Sequence, residues 1–396
     1  MRLFPQLPTE LAEKVVSCLD PNELPVFRLV SKAAATQFRG PNHTTFRLSQ
    51  PVPPHAFAAH WLAPGATRGL NLKQRRQLLC LTAASGVVAN LELAMQAAGC
   101  LLTYDVFRAA ASAGQLASCK WLLQQGCPAQ YFEHSGLLSA AAKGGHRHVC
   151  EWLLGLGLAW SSSGAGDAAR GGHLGLMEWL LERQPQLHAD VRPVNEQQWL
   201  VVGVVHGCDL PTLQRMWPGW GELSDRVKEA ALDAAEGSPT PDWAAKVEWL
   251  EARGCPRGDY VGCGAAGHPD AVARLAWLRG RGCTLGAPAV AAAVAECNSA
   301  ALQFLLGEED GRPVVAVAAD ARPTTAFWVP AEAGDLGALK ALHAAGWLVG
   351  AMEQCTHLAA EHGHLHVLAW LEEALGAGAG LLGQAAIGRS WSGLAP

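Results

Sequence analysis

The chain has 396 residues, a formal net charge of -5 and only 16% charged residues, against about 25% in ordinary soluble domains. At ~100–200 residues per domain, this length fits two or three ordinary domains or one long repeat array. The mildly acidic balance gives no general electrostatic reason to bind nucleic acid or an anionic membrane. Half of the residues are hydrophobic, and fifteen Trp stand against nine Phe and three Tyr. The opening MRLFPQLPTELAEK has no apolar signal-peptide core, because Pro, Thr and two Glu interrupt it. The longest uncharged apolar stretches, Trp152–Gly166 and Ala374–Gly388, run about 15 Gly-rich residues, short of the roughly 20 a membrane span needs. Twelve Cys occur without a CxxC pair, so free buried thiols in a reducing compartment are expected. These features predict an intracellular protein, cytoplasmic or nuclear.

Residues 7–33 read LPTELAEKVVSCLDPNELPVFRLVSKA. Leu7, Leu11, Val15, Cys18 and Leu19 form one helical stripe. Asp20-Pro21-Asn22-Glu23 predicts the start of a second helix, with Asp as cap, Pro in the first turn and Glu reaching back. Pro25 still falls where a helix tolerates it. The run resembles the F-box, the small helical module that docks substrate receptors on the adaptor subunit of cullin-based ubiquitin ligases. Leu7-Pro8, Glu10-Leu11, Val15, Leu19, Pro21, Leu24 and the string Arg28-Leu29-Val30-Ser31-Lys32 carry the resemblance. It implies a three-helix module over residues 1–40, docking an adaptor through Leu7, Pro8, Leu11, Val15, Leu19, Leu24 and Leu29. One position departs: Ala34 stands where many F-boxes have Trp. Trp to Ala in a packed site costs about 3–5 kcal/mol, so either a neighbour compensates or adaptor binding is weakened. The alternative is a helical cap that seals a repeat array.

Residues 41–75 read as a Pro-rich connector whose PHAFAAHWL piece forms a capping helix, with Lys73, Arg75 and Arg76 on a solvated helix face. From 76 to 375 the chain repeats itself. AAASAGQLASCKWLLQQGC, SAAAKGGHRHVCEWLLGLGL, DAARGGHLGLMEWLLERQP and LAAEHGHLHVLAWLEEALG align without gaps. One Trp slot falls at Trp121, Trp152, Trp179 and Trp370. Trp249 and Trp277 fill it as well, with Ala94, Arg215, Phe304 and Ala341 in weaker copies. Each copy reads as a short Ala-faced helix, a break at Gly-His or Gly-Asp, and a second apolar helix (Leu174, Met177, Leu180, Leu181) ended by Gly. No single pair buries its apolar face, so neighbours must stack, with the Trp slot between them.

The copies resemble ankyrin repeats through the pattern A-A-x-x-G-H…L-L-x-x-G. The T-P-L-H opening is absent, and several copies are shorter than the family's usual period of about 33. Short or irregular fingers are therefore expected, with 307–325 (GEEDGRPVVAVAADARPTT) the clearest insertion. The expected fold class is all-α: an ankyrin-like helix-turn-helix solenoid of about ten short, degenerate repeats behind the F-box-like module. A Gly/Ala-rich tail follows over 376–396.

Chemical motifs fare poorly. GCGAAG at Gly262–Gly267 matches a dinucleotide fingerprint, but Pro269 follows closely and no acidic residue lies between Asp270 and Glu296 to hold a ribose. His362, His364 and His366, like His146 and His148, coincide with the repeat's own turn and lack the further ligands a zinc site needs. Cys100, Cys127, Cys255 and Cys283 each follow a helix-ending Gly. No catalytic residue, cofactor or metal is expected. The expected function is non-enzymatic: a substrate receptor that holds a protein partner on the concave face of its array and docks the ligase adaptor through its head. Nucleic acid and membrane are not expected partners. Arg108, Lys143, Trp160, Arg312 and Trp347 are the candidate partner-binding residues. The alternative is a non-enzymatic intracellular scaffold whose N-terminal helices only cap the solenoid.

Overall fold

The computed structural model describes residues 9–129, 136–156, 164–187, 196–309, 312–315, 328–347 and 352–375. By its contacts the chain divides into two compact units, Met1–Leu200 and Val201–Pro396. Among the described residues both are helical, apart from a two-residue antiparallel ladder, Glu308–Glu309 against Arg312–Pro313, within the 307–325 insertion. No helix of the described residues is long and apolar enough to cross a membrane.

The first unit begins with three short helices, α1 (Thr9–Ser17), α2 (Leu24–Phe27) and α3 (Lys32–Gln37), with a 3-10 turn at Arg28–Val30. The Glu23 carboxylate accepts the Asp20 N–H at 3.1 Å, as its spacing predicts, but the helix starts only at Leu24. The Asp20–Glu23 segment closes as a turn, with Glu23 N–H donating to the Asp20 carbonyl at 2.8 Å. Ser31 caps α3 by accepting the Ala34 N–H at 3.1 Å. Ala12 and Val16 from α1 meet Ala34 and Phe38 in a small core, with Leu24 and Phe27 against it. Asn22, 1% exposed, ties this module down: its amide donates to the carbonyls of Arg47, Gln50 and Pro51 and accepts the Arg47 N–H.

The capping piece forms α4 (Pro54–Trp61) and packs on α6 (Val88–Ala98). There Asn90 donates to the Val52 carbonyl at 2.8 Å. The predicted basic helix face is partly structural. Arg75 turns its guanidinium onto the carbonyls of Thr67, Leu70 and Ala98. Pairs follow: α5 (Leu72–Ser85) with α6, α7 (Tyr104–Ser112) with α8 (Leu116–Gln124), α9 (Leu137–Lys143) with α10 (Arg147–Gly155), and α11 (Gly164–Arg170) with α12 (Leu174–Leu187). First helices pack on first helices, α5 on α7, α7 on α9 and α9 on α11. Ala110, Ala111, Ala141, Ala142, Ala168 and Ala169 are fully buried, so small side chains bring these backbones close.

The second unit repeats this plan after α13 (Glu196–Gly207) and α14 (Leu210–Met216). Its pairs are α15 (Asp225–Glu236) with α16 (Trp243–Glu251), α17 (Cys263–Ala266) with α18 (Ala271–Gly280), α19 (Ala287–Ala295) with α20 (Ser299–Leu306), α21 (Trp328–Ala333) with α22 (Leu336–Ala344), and α23 (Met352–Glu361) with α24 (Leu365–Leu375). One apolar cluster runs from Ala265 to Leu371.

In most pairs the turn is a left-handed helix end, the exceptions being α15 with α16 and α17 with α18, where Gly237 and Gly267 keep negative φ. Gly114, Gly145, Gly172, Gly334 and Gly363 have φ between 72 and 78°. The residue after each donates its N–H five residues back; His146 to Ala141 and His364 to Ala359 are examples, at 2.9 and 2.8 Å. Cys297 holds the same place with φ 52°, the one positive-φ non-Gly residue among those described.

Burial fixes the register of the second helices. Around each Trp slot the residues two before and one after are buried: Cys150 and Leu153 around Trp152, Leu275 and Leu278 around Trp277. This corrects the first copy. Ala94 is fully buried and takes the place of Leu122, so the slot there is half-buried Leu93. Most slot Trp are half-buried and lean on the preceding pair, Trp249 on Trp217 (5.4 Å between centroids), Trp277 on Trp243 (5.0 Å) and Trp370 on His343 (5.7 Å). Arginines lie over their open faces, including Arg253 on Trp249 and Arg281 on Trp277.

Candidate functional site

Two apolar faces share the N-terminal module. On α1, Ala12 and Val16 point inward, while Leu11 and Val15, one residue earlier in each turn, are 46% and 41% exposed. The 3-10 turn adds Leu29 at 84% and Val30 at 62% exposure. Fully burying an aliphatic side chain of this size is worth about 1.5–3 kcal/mol, so these residues are available to a partner rather than to this fold. Leu19 is half-buried in an open groove shared with Val16, Pro21, Leu24, Phe38 and His43. Leu24 is half-buried: it packs on the module's own core and lines the same groove. Leu7 and Pro8 lie outside the described residues.

The missing Trp is accounted for locally. Ala34 is 1% exposed, and the space around it is closed by Phe38, which meets Phe27 edge-on at 6.0 Å and His43 at 5.3 Å. The module keeps an aromatic core with Phe38 in it.

The candidates along the repeats scatter. Arg108 is exposed and pairs with Asp105 at 3.6 Å, and Lys143 is exposed at the end of α9. Trp347 is 4% exposed and belongs to the large core cluster, so it offers no docking surface. It follows Gly346 as Cys127 follows Gly126, and its N–H closes the helix on the Leu342 carbonyl at 2.9 Å. Arg312 lies on the short ladder. Trp160 lies outside the described residues.

The titratable groups that sequence patterns suggested are spent on architecture. His146 and His148 bond the carbonyls of Ser112 and Gly114 in the preceding pair at 3.0 and 2.9 Å. His364 and His366 do the same to Glu332 and Gly334 at 2.8 and 2.9 Å. Among the described residues no group of three or more His, Cys, Asp or Glu could hold a metal ion. None of the twelve Cys is in a disulfide, and burial pushes the thiols of Cys119 and Cys150 up to about 12 and that of Cys355 to about 11. In GCGAAG the amides a phosphate would use are taken: Gly262 N–H donates to Glu236 at 2.6 Å and Gly264 N–H to Asp233 at 3.0 Å.

Buried charges are what the sequence hid. Lys246 is fully buried and donates to the carbonyls of Val205 and Cys208 and to the Ser238 hydroxyl, each at 2.7 Å. Arg274, 2% exposed, donates to the carbonyls of Glu236 and Ser238 at 2.8 Å and to Asp270 at 2.6 Å. Both stand three residues before a slot Trp, where other copies have Val149 or Val367. Burial pushes the Lys246 ammonium down to about 8 and the Glu236 carboxyl up to about 7. Burial alone would raise Asp242 too, but the Thr240 hydroxyl, the Leu210 N–H and Lys246 together hold it below the usual carboxylate range.

Compared with known families, residues 4–45 match the F-box domain. No curated protein matches the chain.

Proposed function

We propose that the chain is a substrate receptor: its F-box head docks the adaptor of a cullin-type ubiquitin ligase, and its repeats, read as an ankyrin-like array, hold the protein to be modified. The match of residues 4–45 to the F-box domain carries this reading, and the outward Leu11, Val15 and Leu29 support it. In this reading the chain divides into a head (1–40), a connector (41–75), the array (76–375) and a tail (376–396). No residue does chemistry. The mechanism is proximity, in which tethering two binding modules raises the effective concentration of target near the ligase.

The contrary reading, a scaffold whose N-terminal helices serve only as a cap, is less well supported. The first pair already has a lid in α4, whose Phe57 is 2% exposed, and in Val52, which bonds Asn90. The head is not needed for that task.

The test measures binding of the purified full chain to a recombinant adaptor–cullin complex. Leu11→Asp with Leu29→Asp is expected to abolish capture while circular dichroism and denaturation midpoint stay unchanged, since both side chains face solvent. Undiminished capture by the double variant sinks the docking assignment. Absence of capture by the unmodified chain sinks the receptor reading.

A further inference from the structure

We propose that Thr240 is a phosphorylation site for a proline-directed protein kinase, and that the phosphoryl group releases the start of α14 from the α15–α16 turn. That turn occupies residues 237–242 and reads Gly-Ser-Pro-Thr-Pro-Asp, where residues 144–146 suffice between α9 and α10. Ser238-Pro239 and Thr240-Pro241 are the chain's only Ser-Pro or Thr-Pro steps, so a kinase that requires proline after its acceptor meets no competing site elsewhere. Each proline lacks a backbone N–H and turns the residue before it away from helical dihedrals. The segment is thereby kept out of both flanking helices and close to the extended form that a kinase cleft takes. Pro239 and Pro241 are exposed, and Thr240 between them is half-buried. Ser238 is closed to an enzyme. It is fully buried, and its hydroxyl donates to the His206 carbonyl at 2.5 Å and accepts from the Lys246 ammonium at 2.7 Å. Thr240 is the reachable acceptor.

In the transfer, Thr240 Oγ1 attacks the γ-phosphorus of ATP and the bond from that phosphorus to the β-phosphate oxygen breaks. ADP leaves, and the hydroxyl proton passes to the kinase's base. The hydroxyl's earlier role is then lost. It donates to Asp242 Oδ1 at 2.5 Å and lies 2.9 Å from the Ser238 hydroxyl. Through Oδ2, Asp242 also accepts the Leu210 N–H at 2.6 Å, and so ties the first residue of α14 to the start of α16. A phosphate ester has no hydrogen to give, and it sets a charge of about −1.5 to −2 beside that carboxylate. The neighbouring cations do not relieve the repulsion. Lys246 lies fully buried behind Ser238 with its three N–H groups on Val205, Cys208 and Ser238. Arg274 is committed to Asp270 and to the Glu236 and Ser238 carbonyls. Asp209, which caps α14 through the Thr212 N–H, adds a further like charge near Asp242. The Asp242 carboxylate is driven from the turn, and the Leu210 N–H loses its acceptor.

The test incubates the purified full chain with a purified proline-directed kinase and ATP, at a temperature where circular dichroism shows it folded. Phosphoryl groups are then mapped by peptide mass spectrometry. One group at Thr240 is expected, with none in Thr240→Val or Pro241→Ala. A folded chain left unmodified at Thr240 overturns the site, as does undiminished transfer in Pro241→Ala or transfer to Ser238 in Thr240→Val. Amide hydrogen exchange then compares the modified and unmodified chains. Exchange in 208–216 is expected to rise about tenfold on phosphorylation, as for the loss of one hydrogen bond to a charged group, with α19 unchanged as internal reference. Thr240→Val removes the donor without adding charge and should give a smaller rise. Equal exchange in the two chains, or a rise as large in α19 as in 208–216, overturns the release of α14.

Discussion

Two regions solve one problem in opposite ways. Each first helix ends on carbonyl groups that it cannot satisfy itself. Around residues 104–156 the next pair reaches back over the surface, with His146 and His148 bonding Ser112 and Gly114. Around residues 201–280 the next pair reaches through the interior, with Lys246 and Arg274 bonding the carbonyls at 205, 208, 236 and 238. An imidazole at the surface is replaceable by water, whereas a cation in the interior is not. The repeat tolerates drift in its turn sequence because either fastening suffices, but only the interior one makes the turn dependent on a single side chain.

The sharpest break is at the buried cation. Lys246→Met takes the cation from the carbonyls of Val205 and Cys208, and urea denaturation should show a loss of about 3 kcal/mol in the Val201–Pro396 unit. A loss under about 1 kcal/mol would mean that the interior fastening is dispensable. Next comes the paired test within α10: Leu153→Ala is expected to cost about 3 kcal/mol and Trp152→Ala about 2, because Leu153 is 2% exposed and the Trp is half-buried. The reverse order would put the core on the wrong side of the slot. His148→Ala should cost only about 1 kcal/mol, since water can take over the Gly114 carbonyl. The two fastenings also differ in pH response. Unfolded Lys246 would hold its proton to 10.5 but the folded one only to about 8, so its own contribution to stability rises with pH between those values, against the fall that the buried thiols contribute there. That rise should vanish in Lys246→Met and persist in His148→Ala. The smallest effect is at the odd turn: Cys297→Gly relieves a left-handed non-Gly residue at some cost in chain entropy, for a net gain of about 0.5–1 kcal/mol.

Much of this was legible in the primary structure. Gly at fixed offsets from Trp marks a left-handed helix end, and that physics is local. The slot was misplaced at Ala94 because Leu93 and Ala94 are both apolar, so pattern alone could not separate core from interface. In sequence Trp347 reads as a loop residue open to a partner. Its position after Gly346, shared with Cys127, was the better guide. Lys246, Arg274 and Glu236 were invisible because charge ordinarily reports solvent, and only their partners in neighbouring pairs reveal otherwise. Asn22 was read as part of a helix start, although its amide closes contacts twenty-five and more residues away.

That amide bears on how the molecule would work as a machine. Asn22 grips the chain at 47–51, and the very next residue, Val52, is held by Asn90 of the first pair. The connector between them is thus gripped from both ends, and the head has no slack against the pair that follows it. A head seated on a ligase would then swing its first repeats as a boom set at one bearing, not as a load on a tether. If the chain is the receptor proposed above, its reach would be an angle more than a length, and a cargo lysine outside that arc would stay untouched however tightly the cargo is bound.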